Sequence, residues 1–461
     1  MLTYEEALSF IHDLNRFGTK LGLQNITNLL NILGNPHRDL RIIHVAGTNG
    51  KGSTCAMIDS ILRAAGYKVG LYTSPYLEVF NERIRVNGEN IPDEDIARLT
   101  QKIQEAMAVM KEKGMGSPTE FEVVTALGLL YFKEQAVDFL VFEVGLGGRL
   151  DATNVVTPLV SVITPISFDH QQYLGNTLTD IAREKCGIIK PGIPVVSGPQ
   201  DAEAMRVIEE TCKKLNCPLI KVVDIKDFNA DNNLLSHRLI ESSVEGQKFD
   251  IMTKNHLYRE LSIELLGYHQ LENATTAVGA IEALSFSGIH IDTEAIYAGL
   301  KQARWPGRLE ILGRKPLVLI DGAHNIAGIN SLKQALNCYF KNMNKIMVLG
   351  ILKDKDAREM LKEITTSADV IITTAPDNPR AYTGQELAQM IGQIYNKAID
   401  SEEDVKSIRI DSKTVPIYTK EKIVDAVELA LQLASPEDLV LFAGSLYMIG
   451  EARTVLRRKL N

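Results

Sequence analysis

Lys51 stands inside Gly47-Thr48-Asn49-Gly50-Lys51-Gly52-Ser53, directly after the apolar run Ile42-Ile43-His44-Val45-Ala46. Glycines in such a run let the backbone turn so that several N–H groups converge on phosphate oxygens, and a helix starting there adds the positive end of its dipole. A lysine in that setting reaches the β- and γ-phosphates of a nucleotide. The run departs from the common phosphate loop. Val45 stands where the first glycine belongs, and Gly52 follows the lysine, which displaces the hydroxyl of Ser53 by one place. A glycine-rich surface turn is the competing reading; a strand before and a helix after weigh against it.

The stretch Phe139-Leu140-Val141-Phe142 ends in Glu143, and an α/β sheet places magnesium-binding or catalytic carboxylates at such strand ends. Gly145-Leu146-Gly147-Gly148-Arg149-Leu150-Asp151 follows and allows close backbone approach to a ligand. Asp169-His170 lies past a further apolar run, 159–164. A lone histidine there is usually a hydrogen-bonded loop residue; it gains weight only if Glu143 and the phosphate loop share its sheet edge.

Helical periodicity fills the chain to about residue 35 and again at 54–65, 93–113 and 119–135. Apolar strands are predicted at 41–46, 68–73, 138–144 and 159–164. This alternation predicts a mostly parallel sheet with helices on both faces. After Arg304-Trp305-Pro306-Gly307-Arg308 a second α/β series begins, with strands at 316–320, 345–349, 370–374 and 438–442. We therefore expect two domains, 1–300 and 301–461, with 218–265 as an antiparallel appendage to the first.

A chain of 461 residues suits two cores better than one. Charged residues at 23% and hydrophobic ones at 45% exclude a disordered or coiled-coil chain. The formal net charge of −8 supplies no excess cation for displacing phosphate counterions, so nucleic acid is not an expected partner. Five cysteines at irregular spacing, with no CxxC pair, favour neither a disulfide framework nor a zinc cluster. With no apolar leader and no span of membrane length, the expectation is a cytoplasmic protein with no membrane partner.

As a set, these residues resemble folylpolyglutamate synthase/dihydrofolate synthase, of the Mur ligase superfamily. The similarity runs through Gly47–Ser53, Thr73-Ser74-Pro75-Tyr76-Leu77, Phe80-Asn81-Glu82-Arg83-Ile84 and Glu143–Asn154. It continues through Asp169-His170, Glu184–Lys190, Arg304–Arg308, Asp321-Gly322-Ala323-His324-Asn325 and Gly444-Ser445-Leu446-Tyr447. The resemblance implies a P-loop domain and a smaller Rossmann-like C-terminal domain with the active site between them. It implies an ATP-dependent ligase that activates a folate or dihydropteroate carboxylate as an acyl phosphate and joins it to L-glutamate. A monomer is expected.

Residue by residue, the resemblance makes Ser74, Glu143 and His170 magnesium ligands, with two ions in the site. It makes Lys185 a carbamylated lysine serving the second ion. Lys51, Lys185, His170 and Glu143 form the catalytic group. Gly47, Thr48, Asn49, Gly50, Lys51, Gly52 and Ser53 bind ATP together with Asn273 on the adenine side and Arg308 and Asp321 on phosphate and ribose. His324 and Ser445 bind the incoming glutamate, and Phe80 and Arg83 the folate. Cys186 stands where a small residue is expected.

Two other functions compete. A cell-wall Mur ligase acting on a UDP-muramoyl peptide carries an additional N-terminal domain, for which the ~40 residues ahead of the loop are too few. A non-catalytic nucleotide-binding regulator has no use for Glu143, His170, Lys185 and Arg308 together.

Overall fold

Five consecutive buried residues, Ile42–Ala46, make β1, the strand on which the first sheet is built. The structure, a computed structural model, describes residues 2–14, 22–230, 232–397, 406–410 and 413–460. By internal contacts the chain divides into two units. The first is Met1–Ser242, Gln247–Glu264 and Gln270–Arg304; the second is Ser243–Gly246, Leu265–His269 and Trp305–Asn461.

In the first unit β1 is followed by β2 (Val69–Tyr72), β3 (Ile84–Val86), β4 (Glu89–Asn90), β5 (Phe139–Glu143) and β6 (Val160–Ile163). Then come β7 (Val195–Ser197), β8 (Leu219–Val222), β9 (Leu234–Ser243), β10 (Gly246–Met252) and β11 (Leu257–Ile263). They form one eleven-stranded sheet in the order β11-β10-β9-β8-β7-β6-β1-β5-β2-β3-β4. β1 pairs in parallel with β5 and β6, with Val45 opposite Glu143 and Ala46 opposite Ile163. A strand flanked and covered on both faces has no solvent side, which is why its sequence is a continuous apolar run.

Helices Tyr4–Asp13, Gln24–Ile32, Asp93–Glu112 and Glu120–Glu134 pack over one face, in a core with Ile42, Tyr72, Leu140 and Phe142. The helix Lys51–Ala64 leaves β1 and is gripped by Thr293–Gln302, where the Ser60 hydroxyl donates to Gly299 O at 2.7 Å. The helix expected from residue 54 thus begins at Lys51. Gly50, at φ 83°, closes the turn, and Thr54 N–H already donates to its carbonyl at 2.9 Å. The expected appendage at 218–265 is instead a continuation of the sheet. β8 pairs in parallel with β7 and β9, and the antiparallel pair β10–β11 closes that edge.

The second unit adds β12 (Glu310–Arg314), β13 (Leu317–Asp321), β14 (Lys345–Leu349), β15 (Val370–Thr373), β16 (Lys406–Ile410), β17 (Lys413–Thr419) and β18 (Leu439–Ala443). Their order is β12-β13-β18-β14-β15-β17-β16. The five inner strands are parallel and the two outer pairs antiparallel. Its own core joins Leu319, Met347, Leu441, Leu336, Leu361 and Leu387. Each unit therefore brings the C-terminal ends of its parallel strands to one edge, where α/β folds bind ligands.

Candidate active site

The loop after β1 is tied to the segment after β6. Thr48 and Asn49 N–H both donate to Pro165 O, at 3.0 and 3.2 Å. The Thr48 hydroxyl donates to Ser167 O and accepts from Ser167 N–H, and the Asn49 amide donates to Ser167 Oγ, all at 3.1 Å. Gly47, at φ 152°, has no room for a side chain: a Cβ there would meet Thr164 Oγ1 at 1.8 Å. With the Thr48 and Asn49 amides engaged, the first helical turn still offers the N–H groups of Lys51, Gly52 and Ser53 to a phosphate. Among the described residues no side chain caps that turn.

Lys51 Nζ folds back to donate to Gly47 O and Thr48 O, both at 3.2 Å. Lys185, on the helix Leu178–Cys186, comes from the other side and donates to the same Gly47 O at 2.8 Å. Only 4% of Lys185 is exposed. Burial, and next the nearby charge of Lys51, bring its amine down to about 7, against the opposing pull of Asp169 and Asp151.

Glu143 ends β5, buried, and one of its oxygens accepts Ser74 N–H at 2.9 Å. These two predicted residues therefore meet. His170 takes a left-handed conformation, φ 50°, and its N–H donates to Asp169 Oδ1 at 2.8 Å. Along the order β6-β1-β5-β2 the carriers of His170, the phosphate loop, Glu143 and Ser74 are consecutive neighbours at one edge.

A buried chain lies beneath the glycine-rich segment. Asp151 accepts from Leu146 N–H at 2.8 Å, from Thr153 N–H at 3.0 Å and from the Thr153 hydroxyl at 2.5 Å. Since that hydroxyl proton goes to Asp151, Thr153 Oγ1 is left to accept from His44 Nε2 at 2.9 Å. Burial holds His44 down to about 3, so the ring is neutral. Asn154 extends the brace, donating to Arg149 O and Gly187 O at 2.9 and 3.0 Å. This ties the segment to the turn after Lys185.

Asn273, near the start of the helix His269–Ala283, presses its side-chain oxygen against Gly50, where a Cβ would approach it to 2.2 Å. Phe80 requires a correction. It was expected to bind the folate directly, but it is 3% exposed and belongs to the core, with its ring edge-on to His12 and Tyr76. A large apolar ring gains more by burial than by waiting for a ligand. Arg83 lies over Tyr76 and Phe80 at 5.2 and 5.7 Å, and its buried Nε has no hydrogen-bond partner among the described residues.

In the second unit Asp321, buried at the end of β13, accepts Leu309 N–H and Ala323 N–H, each at 2.9 Å. Burial raises its carboxyl, and Arg308 opposes that shift. The Arg308 guanidinium packs against the bare Cα of Gly322. His324 Nδ1 is 2.7 Å from Gly322 O, and buried Ser445 accepts Tyr447 N–H at 3.2 Å. β13 and β18 are neighbours, and Gly444 N–H donates to Ala323 O at 3.1 Å, so His324 and Ser445 share an edge.

The description "Mur ligase middle domain" matches residues 45–281, and "Mur ligase, glutamate ligase domain" matches 307–446. A Bacillus subtilis dihydrofolate synthase/folylpolyglutamate synthase is 39% identical over 457 residues, covering 98% of this chain and 99% of that one. The chain belongs to the folylpolyglutamate synthase/dihydrofolate synthase family of Mur ligases. Among solved relatives, Mycobacterium tuberculosis folylpolyglutamate synthase complexed with ADP superposes with a TM-score of 0.86 at 31% identity, over 99% of each chain. Escherichia coli FolC in complex with DHPP and ADP does so at 0.83 and 29%, over 99% of this chain and 98% of that one.

As a Mur ligase of this family, the chain is an ATP-dependent carboxylate–amine ligase, and the first-unit edge suits that chemistry. Magnesium is the metal such enzymes imply, and the residues here are compatible with it. Among the described residues no three His, Cys, Asp or Glu side chains converge as a cage. The pair Ser74–Glu143 instead offers hydroxyl and carboxylate oxygens, the kind of partial set that leaves magnesium open to phosphate and water. Sequence reading missed the support supplied by His44. One histidine inside an apolar strand carries no signal of its own, and only the position of Thr153 reveals its use.

Proposed function

We propose that this ligase adds L-glutamate to the carboxylate of folates, and to dihydropteroate, through an acyl phosphate, acting as a cytoplasmic monomer. The single observation that carries the reading is the meeting of Lys51 and Lys185 at Gly47 O, beside the uncapped first turn. Carboxylate and γ-phosphate repel, so their approach needs positive charge fixed in advance. Lys51 and the N–H groups of Lys51, Gly52 and Ser53 provide it, while Asn273 sits beside the loop to contact the adenine.

Ser74, Glu143 and His170 would hold magnesium, which when bound neutralises phosphate charge. Lys185, in carbamylated form, would hold a second ion. A lysine brought to about 7 supports this, because only the neutral amine adds CO2. Arg308, always charged and forked, suits phosphate, with Asp321 assigned to ribose. His324 and Ser445 bind glutamate. Arg83, its Nε without a hydrogen-bond partner among the described residues, meets a folate carboxylate, and Phe80 serves by holding Arg83.

Phosphate release with ATP, magnesium and glutamate tests the proposal, comparing dihydropteroate, tetrahydrofolate and a UDP-muramoyl peptide. Turnover with the pteridines is expected; response to the muramoyl peptide alone would overturn the reading.

A further inference from the structure

We propose that Gln200 is a positioning residue of the nucleotide site: it fixes the Pro165–Ile166 peptide, on which the phosphate loop hangs, and so sets the affinity for ATP. The inference rests on reading Gly47–Ser53 as the loop that takes the nucleotide phosphates.

A peptide unit is planar, so the direction of its N–H fixes the direction of its carbonyl. The Pro165–Ile166 peptide is held at both of these groups. Gln200 Oε1 accepts Ile166 N–H at 2.9 Å. Pro165 O accepts the N–H groups of Thr48 and Asn49, at 3.0 and 3.2 Å. The two loop amides thus take their orientation from a plane that a side chain 34 residues beyond Ile166 holds still. Hydrogen bonds in line through one peptide also polarise and strengthen each other.

Gln200 secures the peptide before the proline as well. Its Nε2 donates to Thr164 O at 3.2 Å, with longer contacts to Ile163 O and Ser197 Oγ at 3.4 Å. β6 ends at Ile163. Thr164 N–H still donates to Ala46 O at 2.8 Å, but Pro165 has no N–H with which to continue a ladder. A glutamine head group carries an acceptor and donors on one carbon, and here it supplies what a neighbouring strand would.

The turn after β7 brings the side chain within reach. Gly198 N–H donates to Ile163 O at 2.9 Å, and a Cβ on Gly198 would meet Pro165 Cδ at 3.2 Å. Removing the head group leaves the N–H of buried Ile166 without its acceptor, and the plane is released to turn toward water. Asp201, next in the chain, does a different job. Its carboxylate caps the helix Ala202–Leu215 by accepting Glu203 N–H at 2.9 Å, a bond within its own helical turn and not on residues 163–167.

Calorimetric titration with ADP, steady-state kinetics, thermal melts and hydrogen exchange of the full chain test this on wild type, Q200A, Q200M and D201A. Q200A is expected to weaken ADP binding and raise the KM for ATP by roughly 3- to 10-fold, as for loss of one hydrogen bond. Turnover at saturating ATP and the KM for glutamate should hold, and amide exchange should quicken over residues 47–50. Q200M, of similar size, removes the same hydrogen bonds and should match Q200A; it decides the question if Q200A does not fold. D201A should lower the melting temperature with ADP affinity unchanged. ADP affinity unaltered in Q200A, or lost to the same degree in D201A, would overturn the proposal while wild-type binding upheld the nucleotide reading. Wild type that does not bind ADP would overturn both.

Discussion

Lys51 and Lys185 donate to one oxygen, the carbonyl of Gly47, at 3.2 and 2.8 Å. Burial disfavours the charged form of Lys185 and the neighbouring charge of Lys51 adds to it, so this amine is brought down to about 7. A buried amine that sheds its proton near neutrality, beside the lysine of the phosphate loop, divides two tasks between otherwise similar side chains.

Lys51→Ala should reduce turnover by a factor on the order of 100 to 1,000, the usual cost of a lost transition-state contact, without lowering the melting temperature. Lys185→Ala should be equally inactive, yet short carboxylic acids should restore part of its activity by taking the place of the carbamate. Stripping CO2 from wild type should lower activity and bicarbonate should return it. A rate indifferent to bicarbonate would remove the carbamate.

The lowered amine also predicts a pH dependence of stability. The folded value of Lys185, about 7, lies below the unfolded 10.5, so across that window the unfolded chain carries the extra proton. Wild type should therefore gain stability as pH rises from 7 toward 10.5, by up to about 1.4 kcal/mol per pH unit, with no further change below 7. Urea unfolding of wild type and Lys185→Met in CO2-free buffer isolates this contribution; parallel profiles would exclude it.

Gly50→Ala should destabilise by about 1–3 kcal/mol, because a side chain at φ 83° is strained and its Cβ meets Asn273 Oδ1. Nucleotide affinity should fall with it. Adding Asn273→Ala removes the collision but not the backbone strain, so the double variant should melt between wild type and Gly50→Ala. Thermal melts with and without ADP measure both effects.

Asp321→Asn keeps the shape of the side chain but one of its two acceptor oxygens becomes a donor facing a backbone N–H. A loss of about 1–3 kcal/mol in unfolding free energy is expected, with a higher KM for ATP as Arg308 loses its counter-charge. Unaltered ATP dependence would separate Asp321 from the nucleotide.

Cys186 and Cys212 are buried and each is pushed up to about 12, whereas Cys338 is exposed. Iodoacetamide should label Cys338 first and spare Cys186 until the chain unfolds. Early labelling of Cys186, followed by mass spectrometry, would show instead that the turn after Lys185 opens readily.

The sequence by itself determined the two α/β series, the phosphate loop and the strand-end carboxylate, because apolar periodicity and glycine spacing are local properties. It also carried the resemblance to the family, since the short segments at Glu143, Asp169-His170 and Asp321–His324 stand in the order that resemblance requires. Only the tertiary structure decided what those residues touch. The first helical turn starts at Lys51 because Gly50 turns left-handed against Asn273, a partner more than two hundred residues away. Phe80 was expected at the folate and became core, because burial is settled by what folds over a residue. His44 was silent in the sequence: it acquires its role from Thr153, a contact that exists only once segments distant along the chain are laid side by side.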